Sequence, residues 1–187
     1  MSRFVPEGPF PIERNGRTVD RTRLSDFWSD VEDSCLGLSD AVGCYIFAIR
    51  AGKGVRPWYV GKTEKASFSR EVFQPHKLVL YAEALNEVDK GTPLIYFLPK
   101  VTSGGKFSKP SLNGVPSIAA LEELLIATCL QRNTVLLNKR TTKHLREMEV
   151  PGYMNERPGN RSNGAVKLSE VLGSAKNLRS RKKALRD

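Results

Sequence analysis

Two rhythms of apolar and polar positions run along this chain. Leu24, Phe27, Trp28 and Val31 recur at helical spacing, which predicts a short helix over residues 22–36 with Ser25 as its cap. Gly43 to Ile49 is a compact apolar run with Tyr45, Ile46 and Phe47 at its centre, the pattern of a strand. Gly52, Gly54 and Pro57 mark a turn, and Trp58 to Val60 read as a returning strand, so residues 43–60 predict a β-hairpin. Over residues 65–89 the helical rhythm returns, with Leu78, Tyr81, Ala82 and Leu85 on one face; Pro75 divides it into two helices or kinks it. Leu94 to Val101 predicts a third strand. Residues 102–116, rich in Ser, Gly, Lys and Pro, predict a mobile loop. Ser117 then caps a helix that carries Ile118, Leu121, Leu125, Ile126 and Cys129 and ends near Asn133. Val135 to Leu137 form a short buried segment that stops at Asn138.

The ends read differently. Pro6, Pro9, Pro11 and several charges make residues 1–20 an irregular leader, and residues 151–187 hold a Gly- and Pro-containing loop and one short helix from Val166 to Leu172. The expected fold is α+β: a small three-stranded, mostly antiparallel sheet flanked by helices. The expected organisation is an N-terminal extension with a short helix (residues 1–40), a central domain (41–150) and a basic C-terminal extension (151–187).

Composition narrows the class of partner. The chain has 187 residues with 40% apolar and 27% charged positions, enough to bury one core and too little charge for overall disorder. Its net charge is +10, and the last 37 residues contribute nine Lys/Arg against three Asp/Glu. Such a surplus favours polyanions, because each phosphate contact releases condensed counterions. Cys35, Cys44 and Cys129 are odd in number, widely spaced and without a CxxC pair, so neither a disulfide framework nor a zinc site is expected, and a reducing cytoplasm fits them. Neither a membrane-spanning run nor a leader of the basic-then-apolar kind is visible.

Gly61-Lys62-Thr63 looks like the end of a phosphate-binding loop, but that loop requires glycine at position 56, which is Arg56, and the preceding residues read as a strand. A different set stands in order along the chain. Gly43-Cys44-Tyr45 lies on the first strand and Tyr59-Val60-Gly61-Lys62 at the end of the second. Glu122 to Ile126, a Glu-x-x-Leu-Ile segment, lies on the late helix, and Asn138 follows after a short apolar run. Each piece alone is common, and only the ordered set around a strand–turn–strand–helix–strand–helix pattern is informative.

This ordered set resembles the GIY-YIG nuclease superfamily over residues 42–140. The resemblance implies a metal-dependent endonuclease that hydrolyses phosphodiester bonds of nucleic acid, with DNA as the expected substrate and Mg²⁺ or Mn²⁺ as cofactor. It implies Tyr45 as general base, Tyr59 as the residue that orients water or phosphate, and Lys62 as a phosphate contact or a cation beside a tyrosine. Glu122 would hold the metal and Asn138 would brace the site, with Gly43 and Gly61 giving the backbone room. The family places an arginine on the helix after the second motif. Arg70 is the arginine in reach, about one residue later than the common spacing, with His76 as an accessory and both His76 and Lys77 placed to take over part of its role. Glu122 is preferred to Glu123 because its helical neighbours are apolar. Lys106 and Lys109 in the loop, and Arg179, Arg181, Lys182 and Lys183 in the tail, are the expected nucleic-acid contacts. The alternatives are a catalytically inactive nucleic-acid-binding module on the same fold and a basic protein–protein adaptor. Oligomeric state stays open.

Overall fold

The apolar run at Gly43 folds back on itself as expected. Strand β5 (Gly43–Ala51) pairs antiparallel with β6 (Gly54–Thr63), and β5 also pairs antiparallel with β7 (Thr92–Val101), so β5 is the central strand. The computed structural model describes residues 1–52, 54–88, 90–173 and 176–179. Between β6 and β7 lie α2 (Phe68–Glu71) and α3 (Pro75–Asn86), with Pro75 in the first turn of α3, where its missing N–H costs nothing. Helix α4 (Pro116–Arg132) follows β7, then α5 (Arg140–Glu147) and α6 (Asn163–Leu172). The fold is α+β, an antiparallel sheet with helices on its faces.

The leader departs from expectation. It is not irregular: β1 (Arg3–Phe4) and β2 (Glu7–Pro11) both pair with the free side of β7, and β3 (Arg14–Asn15) pairs with β4 (Thr18–Val19). Prolines that argue against a central strand are compatible with an edge strand. The sheet therefore holds five strands rather than three. Phe10, Ile12 and Val19, with Phe27 and Val31 of α1 (Leu24–Ser34), belong to the same core as Tyr45 and Phe47. Residues of the first forty thus share the core of the sheet. The cap also differs: Asp20, not Ser25, accepts from the Thr22 backbone N–H ahead of a 3₁₀ turn at Arg21–Arg23. Likewise α4 begins after Val115 with no side-chain cap, so Ser117 lies inside the helix.

The two sheet faces carry separate cores. Tyr45, Phe47 and Ile49 point toward α1 and α3, where Phe47 stacks on Tyr81 at 4.1 Å between centroids. Val60 packs on Ile126 and Leu130 of α4, and Cys44 on Ile118. The tail joins this second face. Leu178 is buried against the Val60 cluster, and its N–H donates to Asn155 Oδ1 at 2.7 Å. Among the described residues, no helix is long and apolar enough to cross a membrane.

Candidate functional site

Among the described residues the outer edge of β6 has no strand partner beyond it, and the chain after α4 covers part of that edge. Leu137 N–H donates to Trp58 O at 2.9 Å. The Asn138 side chain then acts as one rung of a missing strand: Oδ1 accepts from Val60 N–H at 2.9 Å and Nδ2 donates to Val60 O at 2.7 Å. Thr142 Oγ1 donates to the Asn138 carbonyl, and Arg146 donates to the carbonyls of Thr134 and Leu136, so α5 staples the segment in place. Asn138 is therefore a bracing residue. Replacing it with alanine should leave two buried backbone groups unpaired and cost about 2–3 kcal/mol, read as a melting temperature about 5–10 °C lower.

Past Val60 the covering stops and a cleft of about 560 Å³ opens. Tyr59 and Lys62 from β6, Glu122 from α4 and Asn138 all line it. Cross-strand pairing explains the placement. Tyr59 shares a face with Phe47 and reaches the cleft from the α3 side, whereas Lys62 shares a face with Cys44 and reaches it from the α4 side. Lys62 Nζ lies 3.4 Å from Glu122 Oε2 and 3.9 Å from Glu64 Oε2. Burial raises the carboxyl pKa of Glu122, partly offset by the ammonium groups of Lys62 and Lys77. Glu123 is exposed at the rim.

Lys77 makes a short polar contact with the cleft tyrosine. It is 9% exposed, its Nζ donates to Tyr59 Oη at 2.6 Å, and Glu71 Oε1 sits 3.7 Å from the same nitrogen. The cation also lies 4.8 Å from the Tyr59 ring centroid. Lys139 and Arg140, exposed at the start of α5, add positive charge to the opposite wall. These two were not singled out from the sequence, although they directly follow Asn138.

Other expected residues lie elsewhere. Tyr45 is fully buried behind the cleft, and among the described residues no group makes a well-aligned hydrogen bond to its hydroxyl, although Tyr81 lies near. Burial, with Tyr81, Tyr59 and Glu71 nearby, pushes its phenol far above the usual range, so it stays protonated. Arg70 lines a separate depression with Lys65 and Lys109. His76 is exposed and outside the cleft lining. Lys106 is an exposed turn residue, while Lys109 pairs with Asp40 at 3.0 Å and Arg179 with Glu149 at 3.2 Å. Arg181, Lys182 and Lys183 lie outside the described residues. Gly43 and Gly61 both have steric reasons. A Cβ at Gly43 would fall 2.2 Å from Leu98 O, and one at Gly61 2.3 Å from Tyr45 Cζ.

No family model, curated protein or solved structure matches this chain. Among the described residues, no group of three or more His, Cys, Asp or Glu side chains could hold a metal ion. A Mg²⁺ site needs fewer protein ligands, because the ion keeps several waters and takes one or two carboxylates plus phosphate oxygens. Glu122, desolvated and facing an open cleft, fits that requirement, with the Glu64 carboxylate beyond Lys62.

Proposed function

We propose that this chain is a metal-dependent endonuclease of the GIY-YIG type, hydrolysing phosphodiester bonds in nucleic acid, with DNA as its expected substrate. One observation carries the reading: Tyr59, Lys62, Glu122 and Asn138 meet at a single cleft walled by lysines and an arginine. Asn138 also braces the β6 edge, but Tyr59, Lys62 and Glu122 come from two elements and turn polar groups toward an open surface that Lys139 and Arg140 share.

Glu122 would hold Mg²⁺ or Mn²⁺, which supplies charge neutralisation at the scissile phosphate. The chain's residues do the rest. Tyr59, half-exposed where Tyr45 is sealed, accepts the proton of the attacking water. Tyr59 acts in its phenolate form, which Lys77 holds by donating to its oxygen, and becomes the neutral phenol as the proton arrives. As the water oxygen bonds to phosphorus, the bond to the leaving oxygen breaks. Lys62, Lys139 and Arg140 stabilise the added charge on the phosphate oxygens. Lys77 thus stands where the resemblance implied an arginine, and Tyr59 takes the role implied for Tyr45.

The test is cleavage of supercoiled plasmid and of a labelled single strand in Mg²⁺, Mn²⁺ or EDTA. Cutting with either metal and none in EDTA is expected. Lys77→Met should slow it about 100-fold and Lys77→Arg should restore part of the rate, with both variants melting near wild type. Binding without cutting under any metal would replace this reading with an inactive binding module. Failure to bind at low salt, where electrostatics are strongest, would leave the protein–protein adaptor.

A further inference from the structure

Arg70 does not reach the cleft, and its surroundings give it a different task. The depression it lines, about 320 Å³, is bounded by Lys65, Arg70 and Lys109 together with Asp40 and Ser67. Three cations thus face one carboxylate. Lys65 and Arg70 are exposed and have no ion-pair partner among the described residues. Lys109 holds Asp40 at 3.0 Å, but both side chains are more than half exposed, so that pair is exchanged for a better anion at little cost. The site is shaped by the fold. Thr63 Oγ1 donates to the Ala66 carbonyl, Ser67 Oγ lies 3.0 Å from Ser69 Oγ, and Ser111 N–H donates to Glu64 O, which brings the loop bearing Lys109 against the turn bearing Lys65. This turn is the direct continuation of β6, so Lys62 in the cleft and Lys65 in the depression stand three residues apart.

We infer that Lys65, Arg70 and Lys109 form a clamp for one backbone phosphate of the nucleic acid, beside the cleft and separate from the chemistry. This rests on the nucleic-acid reading of the cleft. The clamp positions the strand by charge and carries no base preference. Arg70 is accordingly a binding residue and does not touch the reacting phosphate.

The experiment measures duplex binding in EDTA over a salt series, so that it is independent of cleavage. Wild type is compared with Lys65→Gln/Arg70→Gln and with Arg70→Lys, followed by cleavage rates at saturating duplex with Mg²⁺. The double variant should bind about tenfold more weakly, and its slope of log affinity against log salt should flatten by about one. Arg70→Lys should keep the wild-type slope, and all three should cleave at the same saturated rate. An unchanged slope in the double variant overturns the clamp. So does a fall in saturated rate with binding intact, which would return Arg70 to the catalytic centre. If wild type binds but never cuts, the nuclease reading fails and the clamp stands on its binding data; if wild type does not bind, both fall.

Discussion

Glu122→Gln should reduce cleavage about 100-fold or more while duplex binding in EDTA and the melting temperature stay at or above wild type. The activity arm follows from charge. Glutamine keeps the size of the side chain and removes the charge of the carboxylate that lines the cleft closest to Lys62. The stability arm follows from linkage. Burial raises the Glu122 pKa in the folded chain, so the folded state holds this proton more tightly than the unfolded chain does. The stabilisation that comes with the proton is complete below the unfolded value of 4.5 and is lost as pH rises through the raised folded value. At neutral pH the ionised carboxylate is therefore a net burden on the fold, which the Lys62 contact offsets only in part. Glutamine removes that burden. A variant that loses cleavage and melting temperature together would assign Glu122 a packing role instead, and a variant that cuts normally would remove it from the metal. At subsaturating metal, cleavage by wild type should also fade on the acid side at a pH above the ordinary glutamate range, since the protonated carboxyl cannot hold a cation. A pH–rate profile for plasmid nicking checks this.

The parts of the site that could be read in advance are those fixed within one element. Tyr59 and Lys62 share β6, Glu122 sits on a helix whose apolar neighbours announce its face, and Asn138 ends a short apolar run. What escaped depends on how elements are set against each other. The sequence offers Lys77 for a share of the arginine's role, but not its partner: it meets Tyr59 because α3 begins afresh at Pro75 and turns that side chain toward the sheet, a rotation no spacing rule contains. Arg70 misses the cleft because α2 is one turn long and ends before α3 starts, so a family spacing counted along one continuous helix does not carry over. Helix α5 has only Thr142 buried and shows no apolar stripe, which hid the cations at its start. The leader was hidden by its prolines, whose cost disappears at a sheet edge.

Gly61→Ala should be among the most disruptive single-methyl changes in the chain. Gly61 and Tyr45 are cross-strand partners, and the Tyr45 phenol lies over the glycine: a Cβ there would stand 2.3 Å from Cζ, 2.4 Å from Oη and 2.7 Å from Cε1. The ring cannot swing clear. It is fully buried, with Phe68 edge-on at 6.4 Å and Tyr59 at 6.2 Å between centroids. Overpacking at such a point costs about 3 kcal/mol, or roughly 8 °C in melting temperature for a chain of this size. The strain falls on the strand segment that carries Tyr59 and Lys62, so the cleft geometry goes with it. Tyr45→Phe cannot relieve the clash, because Cζ and Cε1 remain. Tyr45→Leu removes those atoms, so Gly61→Ala/Tyr45→Leu should be less destabilised than the sum of the two single changes, a coupling measured by a double-mutant cycle. Additive effects, or a Gly61→Ala protein that melts like wild type, would mean that Tyr45 does not depend on the glycine. The expected coupling makes Tyr45 the buried support beside the partly exposed Tyr59, and under the proposed function the chemistry falls to Tyr59.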